Sequence, residues 1–597
     1  MKIKLLVGVL VLLFGLPVMA APPARRAAQD AAQSVDNVTY IAANNILMFV
    51  TNHGNFGRDL GGVFGNDYGT YFPFSTTTAI SSGANTLSPY YAGGLWIGGV
   101  DSVTQDTLMV ISEYSSEYVP GPTLDGSFLT DRPEFHVYKL YRDSLANNPN
   151  DDYLAWPVDQ GAPVNEDGTP KMIGDQMCWS VYNDLDPDQH AHDAGSTAPL
   201  GLEVRQTVFS FQRKNGSLAN IVFLKYHIFN RGDKTLQNCF FSIWSDPDLG
   251  DAADDLVGTD TTRNLAFTYN STDDDIKYAA LNQAVPSIGI DFFQGPLVYT
   301  GEETDTALMW DSTWVGYKNM GLYSFNKYIN GTDPDSYQQA YMFQLGLDAK
   351  NGGIPYVNPI TGQPTRFVMS GDPTAGANCA GEGWLDDTPA DRRHMQTTGP
   401  LTFRPGDSTE ILAAMVVGQA SGWCSSVTLM KQIDDFAQRV YENGFNPPRP
   451  PAKPVVTVAQ TPNRISLSWT DTSEVDPGDF SYEGYTVWQG ESESGPWREL
   501  ATYDLVNHRL NGLVDTLLDP YSGLKFPMAI RAITNSGIDR MYTVGEDAIR
   551  GGRLNNLTTY YFKVSAFSWA ERMVVDSTTD PWDTTWIPGQ DVNGQAI

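Results

Sequence analysis

The stretch Ile221-Val-Phe-Leu-Lys-Tyr-His-Ile-Phe229 is the clearest strand signal in the chain, because apolar, β-branched and aromatic residues dominate it. The turn-forming residues Asn230-Arg-Gly-Asp233 follow it, and a second strand-like run extends from Leu236 to Trp244. Two such runs joined by a short turn predict a β-hairpin. We also expect the turn itself to be tight and exposed.

The same succession of strands and turns extends from about Val38 to Gly418. Val204 to Phe211 is a further strand-like run, and Pro405-Gly406 is a turn between two more. The 55 Gly, 37 Pro and 12% aromatic residues favour short strands joined by many turns. Residues 38–424 are therefore predicted to form one or two sandwich-like domains, within a mostly β, multidomain β-sandwich architecture.

One helix interrupts this pattern. Residues 425–444 are predicted to form an amphipathic helix, capped by Ser425 or Ser426 and ended by Gly444. Its apolar residues recur at helical spacing: Leu429, Ile433, Phe436 and Val440. Residues 445–453 are rich in proline and predict a stiff, extended linker, which is the clearest domain boundary in the sequence.

Beyond this linker, four motifs follow one another: Ile465-Ser-Leu-Ser-Trp469, Tyr485-Thr-Val-Trp488, Ser494-Gly-Pro-Trp497 and the run from Leu557 to Ala566. With these motifs, residues 454–570 resemble a fibronectin type III domain, an immunoglobulin-like β-sandwich. The resemblance implies a spacer or protein-binding module and does not imply catalysis. It also implies that Trp469 and Tyr560, the corner tyrosine, are both buried. The segment from Leu505 to Arg550 is longer than the family usually needs.

The N-terminus has the order of a secretory signal peptide. Lys2 and Lys4 precede the apolar run from Leu5 to Val18, and Val18-Met-Ala20 provides compact residues for cleavage. We predict a signal peptide over residues 1–21 and a flexible leader over 22–37. The protein is therefore expected outside the cell or on its outer surface.

Four further motifs lie in the N-terminal part: Tyr118-Val-Pro-Gly-Pro122, Trp156-Pro-Val-Asp-Gln-Gly-Ala-Pro163, Gly195-Ser-Thr-Ala-Pro-Leu-Gly201 and Asp246-Pro-Asp-Leu-Gly250. They resemble large secreted proteins that bacteria export through type IX secretion systems. Such proteins usually end in a sorting domain that attaches them to the cell surface. No sorting domain is recognised before Ile597, so residues 571–597 are interpreted as a tail or as the start of a further domain.

The chain is acidic, since 70 Asp and Glu against 38 Lys and Arg give a net charge of −32. This charge repels phosphate backbones and anionic lipids, so nucleic acids and membrane surfaces are poor partners. After the signal peptide, no apolar run approaches the roughly 18 residues of a membrane helix, and we expect no transmembrane segment in the mature chain. Dense carboxylates suit hard cations such as calcium.

The four cysteines are Cys178, Cys239, Cys379 and Cys424. Their wide spacing, without a Cys-x-x-Cys pair, argues against zinc. Up to two disulfides can form in an oxidising compartment. Cys379 and Cys424 lie in Gly-rich, loop-like sequence and are the favoured pair, whereas the other two lie beside aromatic residues and are interpreted as core residues.

The strongest chemical motif is an acidic segment punctuated by glycine. Its carboxylates are Asp246, Asp248, Asp251, Asp254, Asp255 and Asp260. A loop bent at glycine can turn several of them inward, and calcium requires six to eight oxygen ligands. The spacing is not that of an EF-hand. We treat the segment as a candidate calcium site, with a solvated acidic loop as the alternative.

A weaker candidate for metal binding lies earlier in the chain. Its residues are Asp184, Asp186, Asp188, His190 and His192. On a strand, the His-x-His pair would place both imidazoles on one face, where a transition metal could bind. A plain polar loop is the alternative interpretation, and no third ligand can be named.

Catalytic motifs are absent from the sequence: there is no His-Glu-x-x-His, no Gly-x-Ser-x-Gly and no phosphate-binding Gly-Lys-Ser/Thr. The sequence favours a non-catalytic, calcium-stabilised β scaffold at the cell surface, which binds a protein or polysaccharide partner, as in adhesion. A carbohydrate-active enzyme or carbohydrate-binding protein is the second hypothesis. A metal-dependent hydrolase built around His190 and His192 is the third.

Overall fold

In the computed structural model, the description starts at residue 37 and ends at residue 587. It leaves out residues 61–62, 65–67, 75–86, 125–126, 129–131, 143–148, 215, 271, 310–311, 330, 443, 446–450, 479–480, 493–495, 507–512, 519–524, 532–533, 570–571 and 577–582. The predicted signal peptide (1–21) and almost all of the leader (22–37) lie outside the described residues, as do most of the linker and of the C-terminal tail.

The chain divides into two compact units, Met1–Phe445 and Asn446–Ile597. Both are built mostly from strands that pair antiparallel in several open sheets. The predicted mostly β, multidomain architecture is confirmed. Among the described residues, no helix combines the length and the apolar character that a membrane crossing requires.

The strands of the first unit are β1 (Val38–Ile41), β2 (Met48–Thr51), β3 (Phe56–Gly57), β4 (Ala92–Asp101), β5 (Thr107–Val110), β6 (Val119–Pro120), β7 (Tyr138–Tyr141), β8 (Gln176–Asn183), β9 (Leu202–Ser210), β10 (Ile221–Asn230), β11 (Leu236–Asp246), β12 (Asp255–Asp260), β13 (Leu265–Asn270), β14 (Ser287–Gln294), β15 (Leu297–Tyr299), β16 (Thr306–Met309), β17 (Ser312–Val315), β18 (Tyr317–Asn319), β19 (Leu322–Ile329), β20 (Leu347–Asp348), β21 (Ile354–Val357), β22 (Pro364–Thr365), β23 (Arg392–Phe403) and β24 (Ser408–Gly418). Its helices are α1 (Asp151–Leu154), α2 (Ile276–Ala280), α3 (Tyr337–Gln344) and α4 (Trp423–Glu442).

In the described part of this unit, two large sheets form a sandwich. The first has the order β1-β2-β3-β4-β11-β23-β19, with β5 on β4, and the second β12-β13-β14-β24-β10-β9-β8-β6, with β7 on β8. Alternate residues of β10, such as Val222 and Leu224, share one buried cluster with Ile97 of β4 and Ile243 of β11. The core therefore lies between the two sheets, as apolar alternation requires.

The predicted hairpin is wrong, although both of its runs form strands. β10 pairs with β9 and β24, whereas β11 pairs with β4 and β23 in the facing sheet. The backbone amides of Arg231 and Gly232 both donate to the carbonyl of Gly201 at 2.8 Å. Asn230 is buried, and its side chain donates to the carbonyl of Lys234. The connection thus crosses from one sheet to the other, which buries an apolar face of each run.

Helix α4 covers the outer face of the second sheet. Val427, Met430 and Ile433 pack in one cluster with Phe223 of β10. The helix begins two residues before the predicted Ser425 and ends at Glu442. Its start is fixed by a residue that the sequence did not indicate, because the backbone amide of Trp423 donates to Asp273 at 2.7 Å.

Two carboxyl groups face each other beneath α4. Asp291 of β14 and Asp434 of α4 are 1% and 2% exposed, and their carboxyl groups interact with each other. Burial raises the pKa of both well above the usual range; Asp434 adds to this effect at Asp291, and Asp435 adds to it at Asp434. We infer that the pair shares a proton up to a higher pH than an exposed carboxyl group would hold one.

This pair predicts an unusual pH dependence of stability. The folded state keeps a proton that the unfolded chain releases above about pH 4, so the pair lowers the free energy of unfolding as the pH rises toward its raised pKa. Asp434→Asn supplies a neutral donor to Asp291. Between about pH 4 and the raised pKa of the pair, the free energy of unfolding of this variant should increase over that of wild type by about 1.4 kcal/mol for each pH unit. Urea unfolding from pH 5 to pH 9 measures this difference. Glu442→Gln, which removes an exposed carboxylate from the last turn of the same helix, is the control and should keep the wild-type slope. Equal slopes in wild type and Asp434→Asn would contradict the shared proton.

The second unit contains β25 (Val456–Thr461), β26 (Arg464–Trp469), α5 (Thr472–Val475), β27 (Ser481–Gly490), β28 (Trp497–Asp504), β29 (Leu513–Leu518), β30 (Lys525–Arg531), β31 (Met541–Val544), β32 (Tyr561–Trp569), β33 (Arg572–Asp576) and β34 (Asp583–Ile587). Two of its sheets have the orders β25-β26-β31 and β28-β27-β32. Trp469 is buried as expected, at 6% exposure, in a cluster with Tyr485 and Val487. Tyr560 is only half-buried, so its predicted burial is wrong.

Tyr560 nevertheless makes the contact expected of a corner tyrosine, because its hydroxyl accepts a hydrogen bond from the backbone amide of Asn555 at 2.8 Å. Tyr560→Phe should cost about 1 kcal/mol of stability in this unit and accelerate hydrogen exchange at the Asn555 amide. Exchange followed by mass spectrometry, with Tyr561→Phe as the control, tests this. Unchanged exchange at Asn555 would show that the bond does not protect the corner.

Candidate metal centre

Three carboxylates converge at one end of the first sheet. Asp246 is the last residue of β11, Asp248 follows it after Pro247, and Asp391 directly precedes β23. Oxygens of the three side chains all lie within 4.8 Å of one another. In the part of the chain that the structure describes, no other group of three His, Cys, Asp or Glu side chains meets this criterion.

Sheet topology explains how residues far apart in sequence meet here. β11 and β23 are antiparallel neighbours, with Ser245 opposite His394, so the end of β11 and the start of β23 lie side by side. Asp248 adopts a left-handed backbone with φ +44°, which turns the chain back immediately after the strand. Asp391 was missed by the sequence analysis. Its only signal is an acidic segment, Asp386-Asp-Thr-Pro-Ala-Asp391, placed just before a strand.

Asp246 has the most constrained environment of the three. It is fully buried, the Tyr114 hydroxyl donates to its Oδ2, and its Oδ1 lies 3.7 Å from Nε of Arg393. Burial alone would lower the pKa of Arg393. Its neighbours Asp246, Tyr114 and Asp333 outweigh burial and raise the pKa of this guanidinium. A permanent guanidinium therefore stands beside the candidate centre. Asp248 and Asp391 are only half-buried, which leaves them as its more accessible members.

The middle of the acidic segment belongs to a second cluster. Asp255 is fully buried, and its Oδ2 accepts a hydrogen bond from the backbone amide of Leu249 at 3.0 Å. The backbone amide of Asp251 donates to the carboxylate of Asp275 at 2.7 Å. Asp275, which the sequence did not indicate, therefore belongs to this cluster as well. Burial, followed by Asp275 and Asp251, raises the pKa of Asp254 to about 6. Burial likewise raises the pKa of Asp255 well above its usual range.

Asp260 lies at the far end of β12 in an ion-pair network. It contacts Arg263 at 2.8 Å and Lys431 at 3.2 Å. Burial alone would raise its pKa, but the Thr262 hydroxyl, Lys431 and Arg263 lower it to about 2. Asp260 is therefore compensated by protein cations, and the converging group does not include it.

The weaker candidate segment forms a loop, as in the alternative interpretation, and not the strand that would place both imidazoles on one face. His190 and His192 lie in an irregular loop after β8, and their rings contact different carboxylates. Nε2 of His192 is 2.5 Å from Glu113. His190 instead contacts Asp184 through Nε2 at 3.6 Å and Glu117 through Nδ1 at 3.9 Å. The converging group found among the described residues includes neither histidine.

Asp184 has a structural role in the same loop. Its carboxylate is fully buried and accepts hydrogen bonds from three backbone amides, those of Leu200 (2.6 Å), Gly201 (3.0 Å) and Leu202 (2.5 Å). Asp186 and Asp188 lie nearer the surface, and Asp186 accepts from the amide of Asp188 at 2.9 Å. These contacts organise the loop itself.

Cys379 and Cys424 form a disulfide, as predicted from their loop-like surroundings. The bond joins the loop before β23 to the first turn of α4. Cys178 and Cys239 are buried free thiols. A disulfide is consistent with an extracellular location.

No family model matches the chain, and no curated protein matches it significantly. A polysaccharide lyase of known structure aligns with 70% of this chain and 38% of its own, at 9% identity and a TM-score of 0.21. A heparinase III structure aligns with 78% of this chain and 41% of its own, at 7% identity and a TM-score of 0.19. This chain thus spans less than half the length of either protein. Similarity this weak supports no conclusion about fold or activity.

Proposed function

We propose that this protein is an exported bacterial β scaffold that binds a protein or glycan partner. We also propose that calcium held by Asp246, Asp248 and Asp391 orders the acidic segment that begins at Asp246. The observation that carries the calcium assignment is the convergence of three carboxylates from two separate chain segments. The resemblance of residues 454–570 to fibronectin type III modules, and of the N-terminal motifs to type IX secreted proteins, supports the surface role.

The donor set suits calcium by its chemistry. Calcium prefers hard oxygen ligands and tolerates irregular geometry, whereas magnesium requires a tight octahedral shell and releases water reluctantly. Three carboxylates would supply part of a shell of six to eight oxygens, with carbonyls and water supplying the rest. Arg393 provides one positive charge beside Asp246, and calcium would add two more at the same end of the sheet.

Calcium is therefore expected to raise the melting temperature of the mature protein. A ligand that binds only the folded state stabilises it by about 2.7 kcal/mol at a hundred times its Kd. The double variant Asp248→Asn/Asp391→Asn, which keeps side-chain size, should lose this response, and magnesium should replace calcium poorly. Differential scanning calorimetry with calcium, magnesium or chelator measures these effects.

Asp186→Asn/Asp188→Asn is the matched control, because it removes the same charge from another acidic loop of the same unit. It should respond to calcium like wild type. Identical melting of wild type and the Asp248/Asp391 variant in calcium and in chelator would contradict the proposed centre and leave the segment a solvated acidic loop.

A further inference from the structure

A groove of about 530 Å³ opens on the first unit where the end of α3 meets the small sheet β20-β21-β22. Its floor belongs to the edge of the first sheet. The Phe325 amide of edge strand β19 donates to the carbonyl of Arg366 at 2.9 Å, and the Val368 amide donates back to Phe325 at 3.3 Å. The segment around Arg366 is thereby fixed to the sandwich.

One wall of the groove is an apolar face of the small sheet. Leu347 pairs with Pro355, and Val357 pairs with Pro364. Because Pro355 and Val357 are two residues apart on one strand, these four side chains lie on the same face. Leu347, Pro355 and Pro364 line the groove, and Val357 is 56% exposed. The wall is apolar and rigid, since two of its members are prolines.

Among the described residues that line the groove, only Arg366 is charged. Its guanidinium carbon lies over the ring of Tyr323, 3.9 Å from the ring centroid, in a cation–π contact. Among the described residues, Arg366 has no ion-pair partner. In a chain with a net charge of −32, the groove therefore offers a cation, packed on an aromatic ring, beside an apolar wall.

We propose that this groove binds an anionic sugar residue of a glycan, with a carboxylate on Arg366 and the apolar ring face against Pro355, Pro364 and Phe367. A guanidinium fork matches a carboxylate with two parallel hydrogen bonds. An extended peptide is the poorer fit: the edge of β19 is already paired at Phe325 and the outer strands of the small sheet have two residues each, so little free edge remains for strand addition.

This inference rests on the proposed binding role and supplies its ligand class, and it uses no residue of the calcium centre. The test is calorimetric titration of the mature protein with tetragalacturonate and with its methyl ester, which removes the charge and keeps the rings. The acid should bind at least tenfold more tightly than the ester. Arg366→Gln should weaken binding of the acid roughly ten- to a hundredfold, the range of charge-assisted hydrogen bonds.

Arg404→Gln is the matched control, because it removes the same charge from an exposed turn outside the groove, and it should bind like wild type. Equal affinity for acid and ester, or equal loss in the two arginine variants, would overturn the assignment. Competition by benzoate as strong as by galacturonate would overturn the sugar class. The sugar titrations are carried out both in calcium and in chelator, which separates them from the test of the calcium centre. If the sugar does not bind, the expected rise of the melting temperature with calcium is unaffected.

Discussion

Asp184→Ala is expected to destabilise the first unit by about 3–6 kcal/mol, because three buried backbone amides lose their acceptor together. An unsatisfied buried donor costs about 1–3 kcal/mol, and water entering the cavity would recover part of the total. Asp184→Asn keeps one carbonyl oxygen and should lose roughly half as much. The midpoint of urea denaturation measures both effects.

Asp188→Ala provides the comparison within the same loop. Asp188 is exposed, and surface substitutions of this kind usually change stability by less than about 0.5 kcal/mol. If Asp184→Ala and Asp188→Ala unfold at the same urea concentration, the carboxylate of Asp184 does not hold the loop. The sequence-based interpretation of Asp184 as a metal ligand would then regain weight.

Loss of the disulfide should destabilise the first unit by an amount similar to that expected for Asp184→Ala. Cys379 and Cys424 are 45 residues apart in the sequence, and a closed loop of that length stabilises the folded state by about 4 kcal/mol in the chain-entropy account. The variant Cys379→Ser/Cys424→Ser should therefore unfold at a clearly lower urea concentration than wild type. Its first loss of structure should occur at the start of α4, which the bond ties to the loop before β23.

Reductant supplies the control for this prediction. Dithiothreitol should shift the wild-type midpoint toward that of the double variant and leave the variant unchanged, because its remaining cysteines are unpaired buried thiols. A wild-type midpoint that does not respond to complete reduction would show that the loop before β23 is held by packing alone.

The positions of strands could be predicted from the sequence better than the pairing of those strands in the sheets. The apolar runs at 221–229 and 236–244 are local signals, and both form strands. Their pairing depends on β9, β24, β4 and β23, which lie elsewhere in the chain. Turn residues between two runs fit a crossing between facing sheets as well as a hairpin, and burial of both apolar faces decides in favour of the crossing.

The candidate metal centre could likewise be predicted only in part from the sequence. Carboxylate density around Asp246 and Asp248 is visible in the sequence, but Asp391 joins them only because β11 and β23 are neighbours. Asp260 was included in the prediction because of the same carboxylate density, but in the structure it forms ion pairs with Arg263 and Lys431. A short polar segment cannot reveal which carboxylates meet cations, buried amides or one another, because those partners come from distant elements.

The most direct test of the calcium centre is a calorimetric titration of the chelator-treated protein with calcium. The account predicts saturable binding in wild type, loss of a calcium site in Asp248→Asn/Asp391→Asn, and wild-type binding in Asp186→Asn/Asp188→Asn. Absence of calcium binding to wild type, or the same number of sites and affinity in the Asp248/Asp391 variant, would contradict it.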